Sequence, residues 1–335
     1  MKAAVYNGKV IKIKEVQKPK LTDSQALIRV KAAGICGTDL AIVKGYLATP
    51  KPLILGHEFA GEVVEVGKNL DQSLIGMRVT SEINCNIDKT CFYCRRNIYT
   101  QCLSRKALGI DIDGAFAEYI AVESYLLHEF PISISFSEAT FIEPLAAAFQ
   151  VFEMMPKDED DKVIAIFGLG KLGLLICQVA ILKDLKVIVV DGSEKKLALA
   201  KKFGAKETIN RLKEKNIPKI IQNSTNGLGA DIVIDATGNP DALKDIVASC
   251  RTRGKLHIKS THGIATPINL TDIVVRELTL FSSRCGPFDM AIDGLKSGKI
   301  QVKELISKEF SLDEIQEAFT SYEKNRDHIK TIVMI

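Results

Sequence analysis

Two groups of side chains in this 335-residue sequence are suited to binding a metal ion. Four of the eight cysteines fall between Cys85 and Cys102, and clustered cysteines in a chain of this size indicate metal binding more than disulfides. Three further segments each carry one good ligand: Cys36, His57 and Glu143. A catalytic zinc needs three protein ligands and one open position, so a thiol, an imidazole and a carboxylate are enough for it. Spacing alone does not show that the three side chains meet.

A glycine-rich turn supplies the second chemical signal. Gly168, Gly170 and Gly173 form a G-x-G-x-x-G pattern that also contains Leu172, after a five-residue apolar run and before an apolar helix-like segment. In that context the glycines permit a tight turn and a close approach to a pyrophosphate, and the helix N-terminus supplies N–H donors. The pattern predicts a dinucleotide site, and the alternative is a turn that only packs a helix on a strand.

An acidic residue indicates which dinucleotide binds. Asp191 stands 18 residues after Gly173, at the end of the next predicted strand. A carboxylate there accepts hydrogen bonds from the adenosine ribose and repels a 2′-phosphate, which favours NAD over NADP. Lys195 and Lys196 follow and could partly offset that repulsion, and Lys196 is itself a candidate cofactor contact. Thr237 follows a later strand and is a further candidate, with a plain turn as the alternative.

The zinc ligands and the dinucleotide site together predict one reaction. A zinc ion makes a bound alcohol more acidic and so prepares it to transfer hydride to a nicotinamide. The elements that must position these groups change in rhythm along the chain. The first third contains short β-like runs separated by glycines, which is typical of a β-rich domain.

From about Lys162, apolar strand-like runs alternate with helix-like segments, which predicts a doubly wound parallel sheet. We expect helices at Lys171–Lys183 and Glu194–Phe203. After a capping-box pattern at Ser311, a helix is expected through Tyr322. The predicted strands of the sheet are Val163–Phe167, Lys186–Val190, Glu207–Ile209, Asp231–Asp235, Lys255–Ile258 and Leu278–Ser282. A last strand, Thr331–Ile335, is expected to rejoin the first domain.

The predicted fold class is therefore α/β, with a β-rich catalytic domain over residues 1–146 that carries the metal ligands. A Rossmann NAD-binding domain follows over residues 147–294, and a C-terminal segment, residues 295–335, returns to the catalytic domain. The net charge of +4 is spread along the chain without a basic block, which gives no indication of nucleic-acid binding. No apolar run of signal-peptide or membrane-span character is evident, so a cytoplasmic protein is expected.

Several motifs together resemble the zinc-dependent medium-chain dehydrogenase/reductase family, and the resemblance covers essentially the whole chain. It implies a GroES-like β-barrel joined to a Rossmann domain, zinc and NAD as cofactors, a small-molecule alcohol as substrate, and a homo-oligomer, either a dimer or a tetramer. The motifs are Cys36-Gly37-Thr38-Asp39, Gly56-His57-Glu58 followed by Gly61 and Gly67, Asp113–Tyr119, Glu143-Pro144-Leu145-Ala146 and Phe310–Ile315.

The resemblance assigns roles to individual residues. It implies Cys36, His57 and Glu143 as ligands of the catalytic zinc. Glu58 is implied as an alternate ligand that exchanges with water or substrate. Thr38 corresponds to the hydroxyl that accepts the substrate proton. A glutamate at 143, rather than a cysteine, resembles polyol and threonine dehydrogenases more than the ethanol enzymes.

The sequence departs from the family pattern in a second metal lobe. Relatives hold a structural zinc with four cysteines, and here Asp88 takes the first place before Cys91, Cys94 and Cys102. A carboxylate oxygen can bind zinc, so an Asp-Cys₃ site is expected, with Cys85 as a substitute if the loop shifts. An empty lobe with free or oxidised thiols is the alternative.

A second departure concerns proton transfer. Many relatives carry a histidine two residues after the Cys-Gly-Thr-Asp motif, where this chain has Ala41. The relay from Thr38 must then end on a cofactor ribose hydroxyl, on water or on another group.

The leading functional prediction is oxidation of a secondary alcohol on a polyol, sugar alcohol or related small polar molecule with NAD. The alternatives are an aldose dehydrogenase that uses NAD or NADP, and an enzyme similar to L-threonine 3-dehydrogenase. A zinc-free binding or structural relative is the non-enzymatic alternative, and the presence of Cys36, His57 and Glu143 argues against it.

Overall fold

The computed structural model describes residues 1–261 and 263–335. The β-strands in these ranges are β1 (Lys2–Tyr6), β2 (Ile11–Glu15), β3 (Gln25–Gly34), β4 (Leu53–Ile54), β5 (Glu58–Val66), β6 (Arg78–Ser81), β7 (Asn84–Cys85), β8 (Lys106–Ala107), β9 (Tyr119–Glu123), β10 (Leu127–Glu129), β11 (Val163–Phe167), β12 (Lys186–Asp191), β13 (Glu207–Asn210), β14 (Ala230–Asp235), β15 (Cys250–Ile258), β16 (Thr279–Ser282), β17 (Ile306–Ser311) and β18 (Lys330–Met334). The α-helices are α1 (Gly37–Val43), α2 (Phe136–Ala139), α3 (Ile142–Met154), α4 (Lys171–Leu182), α5 (Glu194–Phe203), α6 (Ile217–Asn223), α7 (Leu243–Ser249), α8 (Leu270–Val275), α9 (Phe288–Lys296) and α10 (Ile315–Lys324).

The chain divides into two compact units. One contains Met1–Glu143 together with Ala291–Ile335, and the other contains Pro144–Met290. The boundaries expected from the sequence, after residues 146 and 294, lie three and four residues further along the chain than these. No helix within the described ranges is long and apolar enough to cross a membrane.

The first unit is built around the ten-residue strand β3. This strand pairs antiparallel with β5, β9 and β18, and the sheet continues to β6 and β10 on one side and to β17 on the other. Seven of the ten residues of β3 are apolar or glycine, and most are buried because the strand has neighbours on both sides. A smaller sheet of β2, β1 and β4 packs into the same hydrophobic core.

Strand register brings three chain segments together at one end of this sheet. Gly34, the last residue of β3, lies opposite Glu58, the first residue of β5, and also opposite Ile332 of β18. Antiparallel pairing places the end of one strand beside the start of its neighbour. The residues that follow Gly34, precede Glu58 and begin β18 therefore meet at this end of the sheet.

The second unit contains an all-parallel sheet in the order β13-β12-β11-β14-β15-β16. This is the strand order of a doubly wound dinucleotide-binding fold, and it confirms the predicted fold class. The runs predicted from apolar alternation correspond to strands β11 to β16, with differences at their ends. The largest is β15, which starts at Cys250 rather than Lys255.

Local signals set the helix ends in this unit. The Ser193 hydroxyl accepts a hydrogen bond from the Lys196 amide and so caps the start of α5. The helix ends at Phe203, and Gly204 follows it in the left-handed conformation. In the first unit, the predicted capping box at Ser311 and Glu314 is present. It opens a short 3₁₀ turn that continues as α10, which runs two residues beyond the expected Tyr322.

Candidate metal centres and cofactor site

The converging strand ends bring a thiol, an imidazole and a carboxylate together. One ligand atom each of Cys36, His57 and Glu58 lies within 4.8 Å of the other two. His57 and Glu58 are almost fully buried, and Cys36 is partly exposed. The Thr38 hydroxyl oxygen lies 3.8 Å from the Cys36 sulfur, beside this cluster.

Glu143 lies outside this group of three. It stands in the first turn of α3 and is partly exposed, so the carboxylate that the structure brings close to Cys36 and His57 is that of Glu58. The role of Glu143 as a zinc ligand thus stays a prediction.

A buried aspartate, for which the sequence analysis proposed no role, orients the cluster. Asp39 is fully buried and accepts hydrogen bonds from the backbone amides of Cys36 and Gly56, at 2.8 and 3.3 Å. Its carboxylate oxygen also lies 3.6 Å from Nδ1 of His57. A carboxylate behind a metal-binding histidine fixes the orientation of the ring and makes the other nitrogen a better ligand.

The electrostatic environment of His57 favours its charged form while no metal is bound. Burial by itself lowers the pKa of the imidazole, but the Asp39 carboxylate and the neighbouring Cys36 outweigh burial and raise this pKa well above its usual range. A metal ion competes with a proton for this imidazole, and the raised pKa strengthens that competition. Metal affinity should therefore fall as the pH falls.

The donor set fits zinc. Thiolate, imidazole and carboxylate are the ligand types that zinc binds in proteins, and burial of His57 and Glu58 leaves them few partners in water. The sequence analysis also missed Lys330, whose buried ammonium group forms an ion pair with Glu58. A lysine at the start of a predicted strand gives no sequence signal for such a role.

The second metal lobe also assembles from its predicted residues. One ligand atom each of Asp88, Cys91, Cys94 and Cys102 lies within 4.8 Å of the others. The predicted substitute, Cys85, is not part of this group, and its thiol donates a hydrogen bond to the backbone carbonyl of Lys106 at 3.1 Å. Burial raises the pKa of Cys85 to about 11.

Hydrogen bonds hold Asp88 in place in this lobe. One carboxylate oxygen accepts from the backbone amides of Thr90 and Cys91, each at 2.8 Å, and the other accepts from the hydroxyl of Ser104 at 3.1 Å. The amide donors lower the pKa of Asp88 and keep it ionised. Burial and neighbouring groups raise the pKa of Cys94 to about 12, so metal binding must displace its proton.

Two of the three glycines of the cofactor turn are required by close contacts with the backbone. Gly168 has φ of +89°, and a side chain there would lie 2.6 Å from the carbonyl oxygen of Ala236. A side chain at Gly173 would overlap the carbonyl oxygen of Gly168, so this glycine allows α4 to pack against the turn. Gly170 caps α4 and faces open space, which leaves room for a ligand at the helix N-terminus, where Leu172 occupies the first turn.

The other predicted cofactor residues end or follow β12 and β14, the two parallel strands that flank β11. Asp191 ends β12, and its carboxylate accepts hydrogen bonds from the amides of Leu169 and Ser193, at 2.7 and 2.8 Å. Lys196 is buried in the first turn of α5. Thr237 follows β14 and donates its hydroxyl proton to Asp235 at 2.7 Å. This arrangement suits an adenosine ribose beside Asp191.

Two parts of the chain match known protein families. Residues 22–132 match the alcohol dehydrogenase GroES-like domain, and residues 172–296 match the family described as zinc-binding dehydrogenase. The chain is 34% identical over 310 residues to D-arabitol-phosphate dehydrogenase of Enterococcus avium, covering 90% of this chain and 87% of that one. It is also 34% identical over 332 residues to sorbitol dehydrogenase of Bacillus subtilis, covering 95% and 92%.

This chain belongs to the zinc-dependent medium-chain dehydrogenase family. A zinc-binding dehydrogenase from Sinorhizobium meliloti, solved with bound NADP, superposes with a TM-score of 0.92 at 29% identity, over 100% of this chain and 99% of that one. The protein is thus an alcohol dehydrogenase of the zinc type that acts with a nicotinamide dinucleotide. These findings confirm the predicted family, fold and enzyme class, and they confirm zinc and a nicotinamide dinucleotide as the cofactors.

Replacing Asp39 tests its role behind His57 in this dehydrogenase. We expect Asp39→Asn to lower the zinc affinity of the Cys36 cluster by about 10–100-fold, because the ring loses its orienting carboxylate. Competition with a zinc-binding dye measures the affinity. Asp71→Asn is the matched control, since Asp71 caps a 3₁₀ turn and is not part of either metal cluster. Equal affinities in both variants would contradict the role of Asp39.

The zinc content of the second lobe depends on Asp88. We expect about two zinc ions per chain in the wild-type dehydrogenase and about one in Asp88→Ala, because the lobe loses one of four ligands. Asp88→Cys should keep both ions. Metal analysis by mass spectrometry distinguishes these cases. A wild-type protein with one ion per chain, unchanged in Asp88→Ala, would show that this lobe does not hold zinc.

Proposed function

We propose that this dehydrogenase oxidises a secondary alcohol group on a polyol, sugar alcohol or related small polar molecule, with NAD as the hydride acceptor. The observation that carries the proposal is the buried cluster of Cys36, His57 and Glu58. Support for the substrate class comes from the two curated relatives, which act on sorbitol and on D-arabitol phosphate.

We propose that Cys36, His57 and Glu143 hold the catalytic zinc and that Glu58 is an alternate ligand. When bound, zinc acts as a Lewis acid that makes the substrate hydroxyl more acidic. The hydroxyl of Thr38, beside the Cys36 sulfur, is placed to accept the substrate proton. Asp39, behind His57, keeps the ring in the orientation in which the other nitrogen faces the cluster.

The onward path of the proton differs from that of relatives with a histidine at the position of Ala41. A methyl group cannot carry a proton, so the Thr38 hydroxyl must pass it to water or to another hydroxyl. Ala41 lies on the same helix as Thr38.

The preference for NAD rests on Asp191. Two backbone amides fix its carboxylate beside the glycine turn, where its negative charge opposes the 2′-phosphate of NADP. The relative solved with NADP is not evidence against this, because cofactor choice depends on this side chain and its neighbours rather than on the fold.

An activity screen tests the substrate class and the cofactor together. We expect reduction of NAD, at well above the rate with NADP, in the presence of polyols, alditol phosphates or both. Asp191→Ala should narrow the difference between the two cofactors, because the repulsion of the 2′-phosphate is lost. Absorbance of the reduced nicotinamide measures the rate.

The same screen covers the alternatives. Activity confined to aldoses would favour a sugar dehydrogenase, and activity confined to threonine would favour an enzyme similar to L-threonine 3-dehydrogenase. Either result would overturn the polyol proposal. A Cys36→Ser variant is the negative control, since its weaker ligand should remove zinc-dependent turnover in every case.

We also propose that the chain forms a homo-oligomer in the cytoplasm. Strand β16 lies at one edge of the parallel sheet, and an exposed edge strand is a template for pairing with a second copy. The adjacent helix α8 exposes Val274 and Val275, each to 73%. A reducing compartment would keep the thiols of the metal lobe available for zinc.

Placing charged side chains on β16 and α8 tests whether the chain forms an oligomer through this edge. We expect Val274→Glu combined with Leu280→Lys to lower the molar mass in solution, because charges on the apolar edge oppose pairing. Light scattering coupled to size-exclusion chromatography measures the mass. Leu228→Lys is the control, since Leu228 is exposed to 68% and lies outside β16 and α8. A wild-type protein with the mass of one chain would contradict the proposal.

A further inference from the structure

The side chain of Lys330 is a buried cation that contacts all three segments that carry the proposed zinc ligands. Its ammonium group forms an ion pair with Glu58, the neighbour of His57. It lies 3.5 Å from the carbonyl oxygen of Thr140 and 5.1 Å from the ring centre of Phe141, just before α3. The side chain also lies against Gly34, two residues before Cys36.

The packing around Lys330 is specific to this ion pair. Lys330 has no exposed surface and Glu58 is 1% exposed, so the two opposite charges stabilise each other in a buried environment. A side chain on Gly34 would overlap the Lys330 ammonium group and would lie 3.3 Å from a carboxylate oxygen of Glu58. The glycine at the end of β3 therefore creates the space in which the pair forms.

Glu58 has two competing partners. One of its carboxylate oxygens faces Lys330, and a carboxylate oxygen of the same residue lies within 4.8 Å of ligand atoms of Cys36 and His57. A carboxylate in this position can bind a zinc ion in the cluster or remain with the ammonium group. If it bound the metal, it would fill the position that a substrate hydroxyl needs.

We propose that Lys330 is a positioning residue that holds the Glu58 carboxylate away from the metal and so keeps the fourth coordination position open. This inference rests on the proposed function of the Cys36 cluster. The family resemblance implies that Glu58 exchanges with water or substrate at the metal, and Lys330 controls this exchange.

Charge balance supports the assignment. Zinc with one thiolate, one carboxylate and a neutral imidazole has no net charge, which is the sum for Cys36, His57 and Glu143. The pair of Glu58 and Lys330 is also neutral. Removing the lysine charge takes away a cation that faces Glu58, so the metal attracts this carboxylate more strongly.

Cobalt substitution tests the proposal with a readout independent of turnover. Added imidazole changes the visible spectrum of protein-bound cobalt only at a site with an open position, so the four-ligand lobe gives no response. The wild-type protein and Lys330→Arg should respond to imidazole. Lys330→Met should respond at least about tenfold more weakly and lose at least about tenfold in turnover, the range seen when residues around metal ligands are replaced.

Removing the competing carboxylate should reverse the effect. We expect Lys330→Met combined with Glu58→Gln to recover the imidazole response. Replacing both members of a buried ion pair with neutral residues of similar size is often tolerated by the fold. Transfer of zinc to a chelator should be slower from Lys330→Met than from the wild type, and fast again in the double variant.

The opposite results overturn the proposal. If Lys330 only ties the three segments together, Lys330→Met should release zinc faster than the wild type, and Glu58→Gln should not rescue it. A wild-type protein without an imidazole response would also overturn it, since no position would then be open. A wild-type response in a protein that oxidises no alcohol in the screen would overturn the proposed substrate class and leave the role of Lys330 intact.

Discussion

Antiparallel pairing of β3 with β5 and β18 is the constraint on which the metal site depends. Gly34 lies opposite both Glu58 and Ile332, so one strand end fixes the positions of the segments on either side of it. Cys36 follows two residues later and begins α1, and His57 immediately precedes β5. A shift of one residue in either pairing would turn the ligand side chains to the other face of the sheet.

The same strand ends explain why the surroundings of the site are charged and buried at once. Asp39 binds the amides of Cys36 and Gly56 and lies behind His57, while Lys330 pairs with Glu58. Unpaired charges are costly in a buried environment, so each of these groups persists because its partner is fixed by the backbone.

The sequence predicted the parts of the structure that are governed by local patterns. The parallel sheet followed from apolar runs at regular intervals, and the roles of Gly168 and Gly173 followed from the turn that they form. Asp88 was identified from its spacing to three cysteines, and the structure places all four ligand atoms together. The dispersed charge gave no indication of nucleic-acid binding, and this expectation stays a prediction.

What the sequence did not predict depends on contacts between distant residues. Lys330 and Glu58 are 272 residues apart, and the pairing of both β18 and β5 with β3 brings them together. A lysine that begins a strand is expected to be exposed, so its burial has no local signal. Likewise, the motif that contains Asp39 does not reveal that its carboxylate reaches Nδ1 of His57. The contrast between Glu58, which joins the cluster, and Glu143, which lies outside it, also requires coordinates.

The central claim is that Cys36 and His57 bind one zinc ion at the end of β3. A crystal structure of the zinc-loaded protein, with anomalous scattering measured at the zinc absorption edge, tests it most directly. The account predicts an anomalous peak about 2.3 Å from the Cys36 sulfur and about 2.0–2.1 Å from a ring nitrogen of His57, with one glutamate oxygen as the third protein ligand. A peak in the Asp88 lobe alone, with none between Cys36 and His57, would contradict it.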